Sequence, residues 1–317
     1  MKRMIVFALL LSLLVGCQKP VKEDKPEEKT EELFNTDGYS STLGIQDIKV
    51  IDDLVELTIL YERSPIGLDH MIMVTIDDQF VPFSFDKNGD FEYQKKMKIE
   101  TEQFKDNKFY VQTTGMKKNQ TYNFSVIFID NYNYVAENVD NPDYSDYRKS
   151  QNIAHTVRRF ECSQDVKALV SNKKGKKVKW ETVKNNSSSF QNNYYGYEDK
   201  NKLKQVFDGD LQVMKTPAIP LKKGEDLKWS FAIKSEYIKK GAIYFFVDNQ
   251  FLTVDQDYGF GCLDYKGQEY GLSQFDIQLP NNIEKGKHTF YFLILDCSES
   301  KYAIVSLMSE LRLIVVE

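Results

Sequence analysis

The chain has 317 residues, enough for two domains at roughly 150 residues each, and its 41% hydrophobic and 28% charged residues exclude a disordered polymer. With 21 Phe and 19 Tyr against 8 Pro, strand-rich folding is expected. The formal net charge is −5, with 47 acidic residues against 42 basic, and it becomes more negative if a leader containing Lys2 and Arg3 is lost. That argues against nucleic acid as the main partner.

The first element is a leader. Lys2 and Arg3 form a basic start, Met4 to Val15 an apolar run too short to span a bilayer, and Gly16 a small residue at a cleavage point. The residues Leu14-Val15-Gly16-Cys17 resemble the lipobox of bacterial lipoprotein precursors, a likeness confined to the first 17 or so positions. The resemblance implies a signal peptide over 1–16 and Cys17 as the mature N-terminus, its sulfur carrying a diacylglycerol with palmitate-like acyl chains. It also implies export and a place on the extracytoplasmic face of the cell membrane. Two acyl chains anchor a protein stably where one holds it only marginally. No other cofactor is expected.

Residues 17–43 follow as a stalk: QKPVKEDKPEEKTEE holds too little apolar surface to offset its ordering entropy. A charged coil of that length spans roughly 30 Å. Beyond it, short apolar runs alternate with turn residues, the pattern of strands. Val55, Leu57 and Ile59 form one run and Met71 to Ile76 another, ending in the tetrad Asp77-Asp78-Gln79-Phe80. Paired carboxylates could serve acid–base chemistry, but adjacent Asp residues between apolar runs read as a turn, since Asp and Asn tolerate positive φ. Asn88-Gly89 reads as a second turn.

The acidic stretch 130–147 holds Asp130, Glu137, Asp140, Asp143 and Asp146, oxygen ligands of the kind Ca²⁺ takes, but without the regular calcium-loop spacing. A solvated loop is the plainer reading, and its length makes it the best partner-facing surface. Residues 44–161 are assigned to a first β-sandwich, closed by a strand at 156–161, and 162–317 to a second.

The second unit opens with a hairpin and loop region, 162–211. Its Lys173, Lys174, Lys176, Lys177 and Lys179 read as a solvated hairpin tip turning at Gly175, or as a grip for phosphate polymers or anionic lipid. Tyr194, Tyr195 and Tyr197, beside Asn192 and Asn193, could stack a sugar ring, although aromatics in β proteins more often pack.

The order of features then recurs. Trp229, Phe231 and Ile233 alternate, Tyr244 to Val247 leads into Asp248-Asn249-Gln250-Phe251, and TFYFLILD at 289–296 matches NFSVIFID at 123–130. The expected fold is therefore all-β: two immunoglobulin-like or related sandwiches in tandem, an internal duplication. Cys162, Cys262 and Cys297 allow at most one bridge, with Cys262 and Cys297 the pair to expect and three small buried side chains the alternative. His70, His155 and His288 are scattered, so no metal centre is expected.

No nucleophile elbow, His-Glu-x-x-His pair or phosphate loop is present, and Gly259-Phe260-Gly261 opens no helix. The reading is a membrane-anchored surface binding or adaptor module for a protein or cell-envelope polymer. The alternatives are an envelope glycan or peptide hydrolase using hidden carboxylates, and a passive spacer.

Overall fold

Two kinds of apolar run become two kinds of strand. Strand Leu54–Ser64 turns Val55, Leu57 and Ile59 inward on one face, whereas strand Leu68–Ile76 is buried on both faces from His70 to Ile76. The computed structural model describes residues 40–64, 68–77, 79–100, 103–133, 152–186, 194–209, 218–234, 240–255, 257–296, 307–308 and 312–317. Among these the architecture is all-β apart from one helix, Lys200–Phe207.

The strands form four sheets. Outer sheet 1 runs Ser40–Ile51, Leu54–Ser64, Gln103–Gln112, Phe83–Ser84. Inner sheet 1 runs Gln79–Val81, Leu68–Ile76, Thr121–Asp130, Asn152–Glu161, with Lys95–Ile99 also pairing to Leu68–Ile76. Inner sheet 2 runs Gly175–Lys177, Phe260–Leu263, Gly241–Val247, Gly286–Asp296, Arg312–Val316, Ile219–Leu221. Outer sheet 2 runs Glu181–Val183, Tyr270–Gln278, Leu227–Lys234, Tyr194–Tyr197. Pairing is antiparallel except where Gly175–Lys177 and Ile219–Leu221 add parallel edges.

Three apolar layers lie between these sheets. Val55, Leu57, Val74, Phe83, Phe109, Val126 and Phe128 fill the first sandwich. Trp229, Phe231, Phe245, Phe275, Phe290 and Phe292 fill the second. The third joins inner sheet 1 to inner sheet 2: Met71, Met73, Phe80, Ile127 and Ile129 pack with Ala242, Tyr244, Phe246, Tyr291, Leu293 and Leu295. Strands covered on both faces read as continuous apolar runs, which is why FSVIFI and FYFLIL carry no alternation.

The outer sheets differ. Lys108 Nζ lies 3.0 Å from Glu56 Oε1 on outer sheet 1, a polar face that water can cover. Outer sheet 2 carries Ala232, Tyr270 and Leu272, and the helix Lys200–Phe207 covers them with Leu203 and Phe207. Asp199 caps that helix, its carboxylate accepting from the Asn201 and Lys202 amides.

Each tetrad opens on a turn. Asp77 has φ 54°, Asp248 φ 46° and Asn249 φ 66°. Asp77 donates its amide to Asn123 O (2.7 Å) while its Oδ1 accepts from Asn123 N (3.0 Å). Asp248 does the same with Thr289, at 2.9 Å for both bonds.

Two boundaries and one local reading differ from what the sequence suggests. The first strand starts at Ser40, inside the segment assigned to the stalk, because Leu43 and Ile45 already pack inward. Residues 162–170 belong to the first sandwich: Cys162 is in its core, Met116 bridges Val166, and Leu169 N bonds Thr113 O at 2.9 Å. The basic run is no hairpin tip. Gly175–Lys177 is a strand parallel to Phe260–Leu263, and a Cβ at Gly175 would meet Cys262 Sγ and a Phe260 ring atom at 2.5 Å. Close strand approach, not a turn, requires this glycine.

Candidate functional site: the root of the 131–133 turn

Among the described residues, most of the side chains singled out from sequence are occupied in packing or pairing. Tyr197 is 2% exposed in the layer beneath the helix, so it faces no ligand. Tyr194 and Tyr195 pair through their backbones with Ile233 and Ala232, and their side chains lie outside the described residues. Lys173 Nζ stands over the rings of Tyr93 (4.3 Å) and Phe251 (4.7 Å), where burial pushes its pKa down. Lys174 stands over Tyr258, Lys176 pairs with Asp255, and Lys177 is exposed. The run therefore offers no continuous basic patch.

Asp130 leaves the calcium reading altogether. It ends strand Thr121–Asp130, is fully buried, and its Oδ1 lies 2.5 Å from His70 Nδ1 and accepts from Tyr61 OH at 3.3 Å. Glu137, Asp140, Asp143 and Asp146 lie outside the described residues, as do Cys17, the leader and Cys297 with its expected bridge to Cys262. Among the described residues, no three His, Cys, Asp or Glu side chains stand together as metal ligands.

The chemistry that the structure does assemble lies directly after Asp130. Asn131, at φ 49°, turns the chain, and its amide donates to Asp69 O at 2.8 Å. Asn133 Nδ2 donates to Asp69 Oδ2 at 3.1 Å, and Lys96 Nζ stands 5.0 Å from the centre of the Tyr132 ring. The second sandwich reaches in as well: Asn249 Nδ2 donates to Tyr132 O at 2.8 Å, while Asn249 Oδ1 accepts from the buried Tyr291 OH at 2.9 Å.

Burial and the nearby Asp69 carboxylate push the Tyr132 phenol pKa up, so it keeps its proton and can donate at neutral pH. Below, Tyr61 stacks on Phe128 at 4.4 Å and meets His70 edge-on, which fixes the His70–Asp130 pair under the turn. With His70 at 1% and Asp130 at 0% exposure, that pair cannot touch a substrate. The root is thus a rigid platform with a phenol, an amide, a carboxylate and an ammonium at its surface.

Sequence reasoning found Asp130 and the acidic stretch but missed His70, Tyr61, Asp69, Lys96 and Asn249. Asn249 carried a signal: it stands where the first tetrad has Asp78, in a chain that otherwise repeats the tetrad closely.

No family model and no curated protein matches the chain. Solved structures with similarity include a chaperone and tip-adhesion-subunit complex from archaic chaperone-usher Csu pili of Acinetobacter baumannii. That match has 7% identity over 83% of this chain and 92% of that one, with a TM-score of 0.19. Another is the C-terminal domain of the Streptococcus agalactiae AgI/II polypeptide BspA, with 7% identity over 87% of this chain and 100% of that one, and a TM-score of 0.20. Similarity at these scores adds nothing to the architecture read from the strand pairings.

Proposed function

We propose that this is an exported, lipid-anchored surface protein whose body, a tandem duplication of one β-sandwich unit, binds a protein or cell-envelope polymer without covalent chemistry. The anchor rests on Leu14-Val15-Gly16-Cys17 behind a basic start and an apolar run. The binding role rests on one observation: Tyr132 and Asn133 are held in place from both sandwiches, so a ligand meeting them costs little in ordering. A platform that is already fixed suits recognition. The hydrolase alternative rests on paired carboxylates, and the His70–Asp130 pair, sealed from solvent, adds nothing to it.

Two experiments test this reading. Growth with a clickable fatty-acid analogue should label the protein and Cys17→Ala should abolish both label and membrane fractionation; an unlabelled wild type defeats the anchor. Capture from an envelope extract by the full-length protein should weaken at least tenfold with Tyr132→Ala or Asn133→Ala. Capture that ignores both changes removes the root as the recognition surface, and no capture at all leaves the spacer.

A further inference from the structure

The layer between the two inner sheets is built from positions that correspond one to one. Strand Leu68–Ile76 pairs with Thr121–Asp130 from His70↔Asp130 to Ile76↔Phe124, and Gly241–Val247 pairs with Gly286–Asp296 from Gly241↔Asp296 to Val247↔Phe290. Each first strand ends in the same carboxylate clasp, Asp77 on Asn123 and Asp248 on Thr289. The register makes Met71, Met73, Phe80, Ile127 and Ile129 the counterparts of Ala242, Tyr244, Phe251, Leu293 and Leu295. All ten line the seam between the sandwiches.

When the same face of two related units meets itself, the contact is isologous and a twofold axis relates the halves. Residues close to such an axis touch their own counterparts. Phe80 and Phe251 do so, with ring centroids 5.0 Å apart.

We propose that the seam is an isologous interface: the face one unit presents fits a second copy of that unit, here fused into the same chain. The proposal rests on the duplication put forward above, and it goes beyond it by fixing how the copies meet. Several position pairs have diverged across the axis, Met73 against Tyr244 among them. Thr75 and Ser125 pair on one side where Phe246 and Tyr291 stack at 4.8 Å on the other. Small side chains opposite large ones favour pairing between unlike halves over pairing between like ones, since two large faces would overlap and two small faces would leave a void. Such divergence favours closure of the two faces within one chain over chaining through like faces.

The test is an exchange of roles across the axis in the full-length protein, read by urea unfolding and by size-exclusion chromatography with light scattering. Thr75→Phe alone and Phe246→Thr alone should each lower the unfolding midpoint. The double exchange T75F/F246T should recover part of the summed loss, because at a twofold seam the volume added at one position is removed at its counterpart. A second cycle, Met73→Tyr with Tyr244→Met, should behave likewise and covers the case in which Thr75→Phe does not fold.

Additive losses in both cycles overturn the isologous seam while leaving the register match and the duplication standing. A second expectation is that T75F, whose first face now resembles the second, stays monomeric at micromolar concentration. A discrete T75F dimer would show that the enlarged faces fit each other, which also overturns the proposal.

Discussion

Asp77, Asp248 and Asp255 share one local device: a left-handed backbone whose amide and carboxylate both bond the residue across the ladder, at 2.7–3.1 Å. Asp tolerates that conformation because its short side chain bonds locally. Asp77→Ala loses the acceptor and keeps a Cβ at positive φ without the local bond that offsets its strain, so it should cost about 1–3 kcal/mol in urea unfolding, with Asp77→Gly milder. A milder Ala would refute the strain argument. His288 supplies a pH signature. Its Nδ1 lies 2.6 Å from Asp248 Oδ2 and its Nε2 2.8 Å from Glu284 O, so both ring nitrogens face acceptors. Burial lowers its pKa, but the bonds to Asp248 and Glu284 and their charges outweigh it and hold the pKa above its ordinary value. A raised folded-state pKa gives stability that is complete below the unfolded value, about 6.5, and is lost as pH rises through the folded value. The stability gap between wild type and His288→Gln should therefore be widest at acid pH and shrink on the alkaline side; a gap independent of pH from 5.5 to 8.5 would contradict this.

At the scale of elements, the legible part of the sequence was its pattern and the hidden part was what covered each face. Val55, Leu57 and Ile59 announced a strand packed along one face, and all three lie in the core of the first sandwich. The tetrads announced turns for a stated stereochemical reason, and their positive φ values bear it out. KKGKKVK misled because a lysine-rich stretch around a glycine looks solvent-bound, whereas a lysine ammonium can also settle over the faces of aromatic rings. Lys173 does so over Tyr93 and Phe251, and Gly175 is there to admit the neighbouring strand. Gly175→Ala should accordingly destabilise by about 1–3 kcal/mol through overpacking against Phe260 and Cys262, whereas Gly209→Ala, with nothing within 4 Å of its Cβ, should show only the effect of its φ of 100°. Equal losses at both would mean that the parallel edge is not closely packed. The root of the 131–133 turn was half legible. Asp130 drew notice as an acid, but its partners His70 and Tyr61 lie 60 and 69 positions away, and no local spacing reports a contact of that range.

For the whole molecule, the third apolar layer decides how the sandwiches behave together. Two tandem domains joined by a linker would meet through a modest and rather polar surface and move independently. Here the meeting face consists of fully buried Met, Ile, Leu, Phe and Tyr side chains, the Lys173 ammonium lies over one ring from each half, and Asn249 reaches from the second half to Tyr132 of the first. Removing either half would expose that layer, so neither sandwich gains much by unfolding alone. Calorimetry should therefore show one transition for residues 39–317, with the van't Hoff and calorimetric enthalpies equal. Ile127→Ala, which hollows the seam without charging it, should keep the single transition and lower its stability by about 2–5 kcal/mol. Ile127→Lys should do something different in kind: an ammonium buried between the inner sheets cannot be satisfied there, so the seam opens and two transitions appear, one for each sandwich. Two transitions already in the wild type, or one in Ile127→Lys with unchanged midpoint, would show that the layer does not couple the halves.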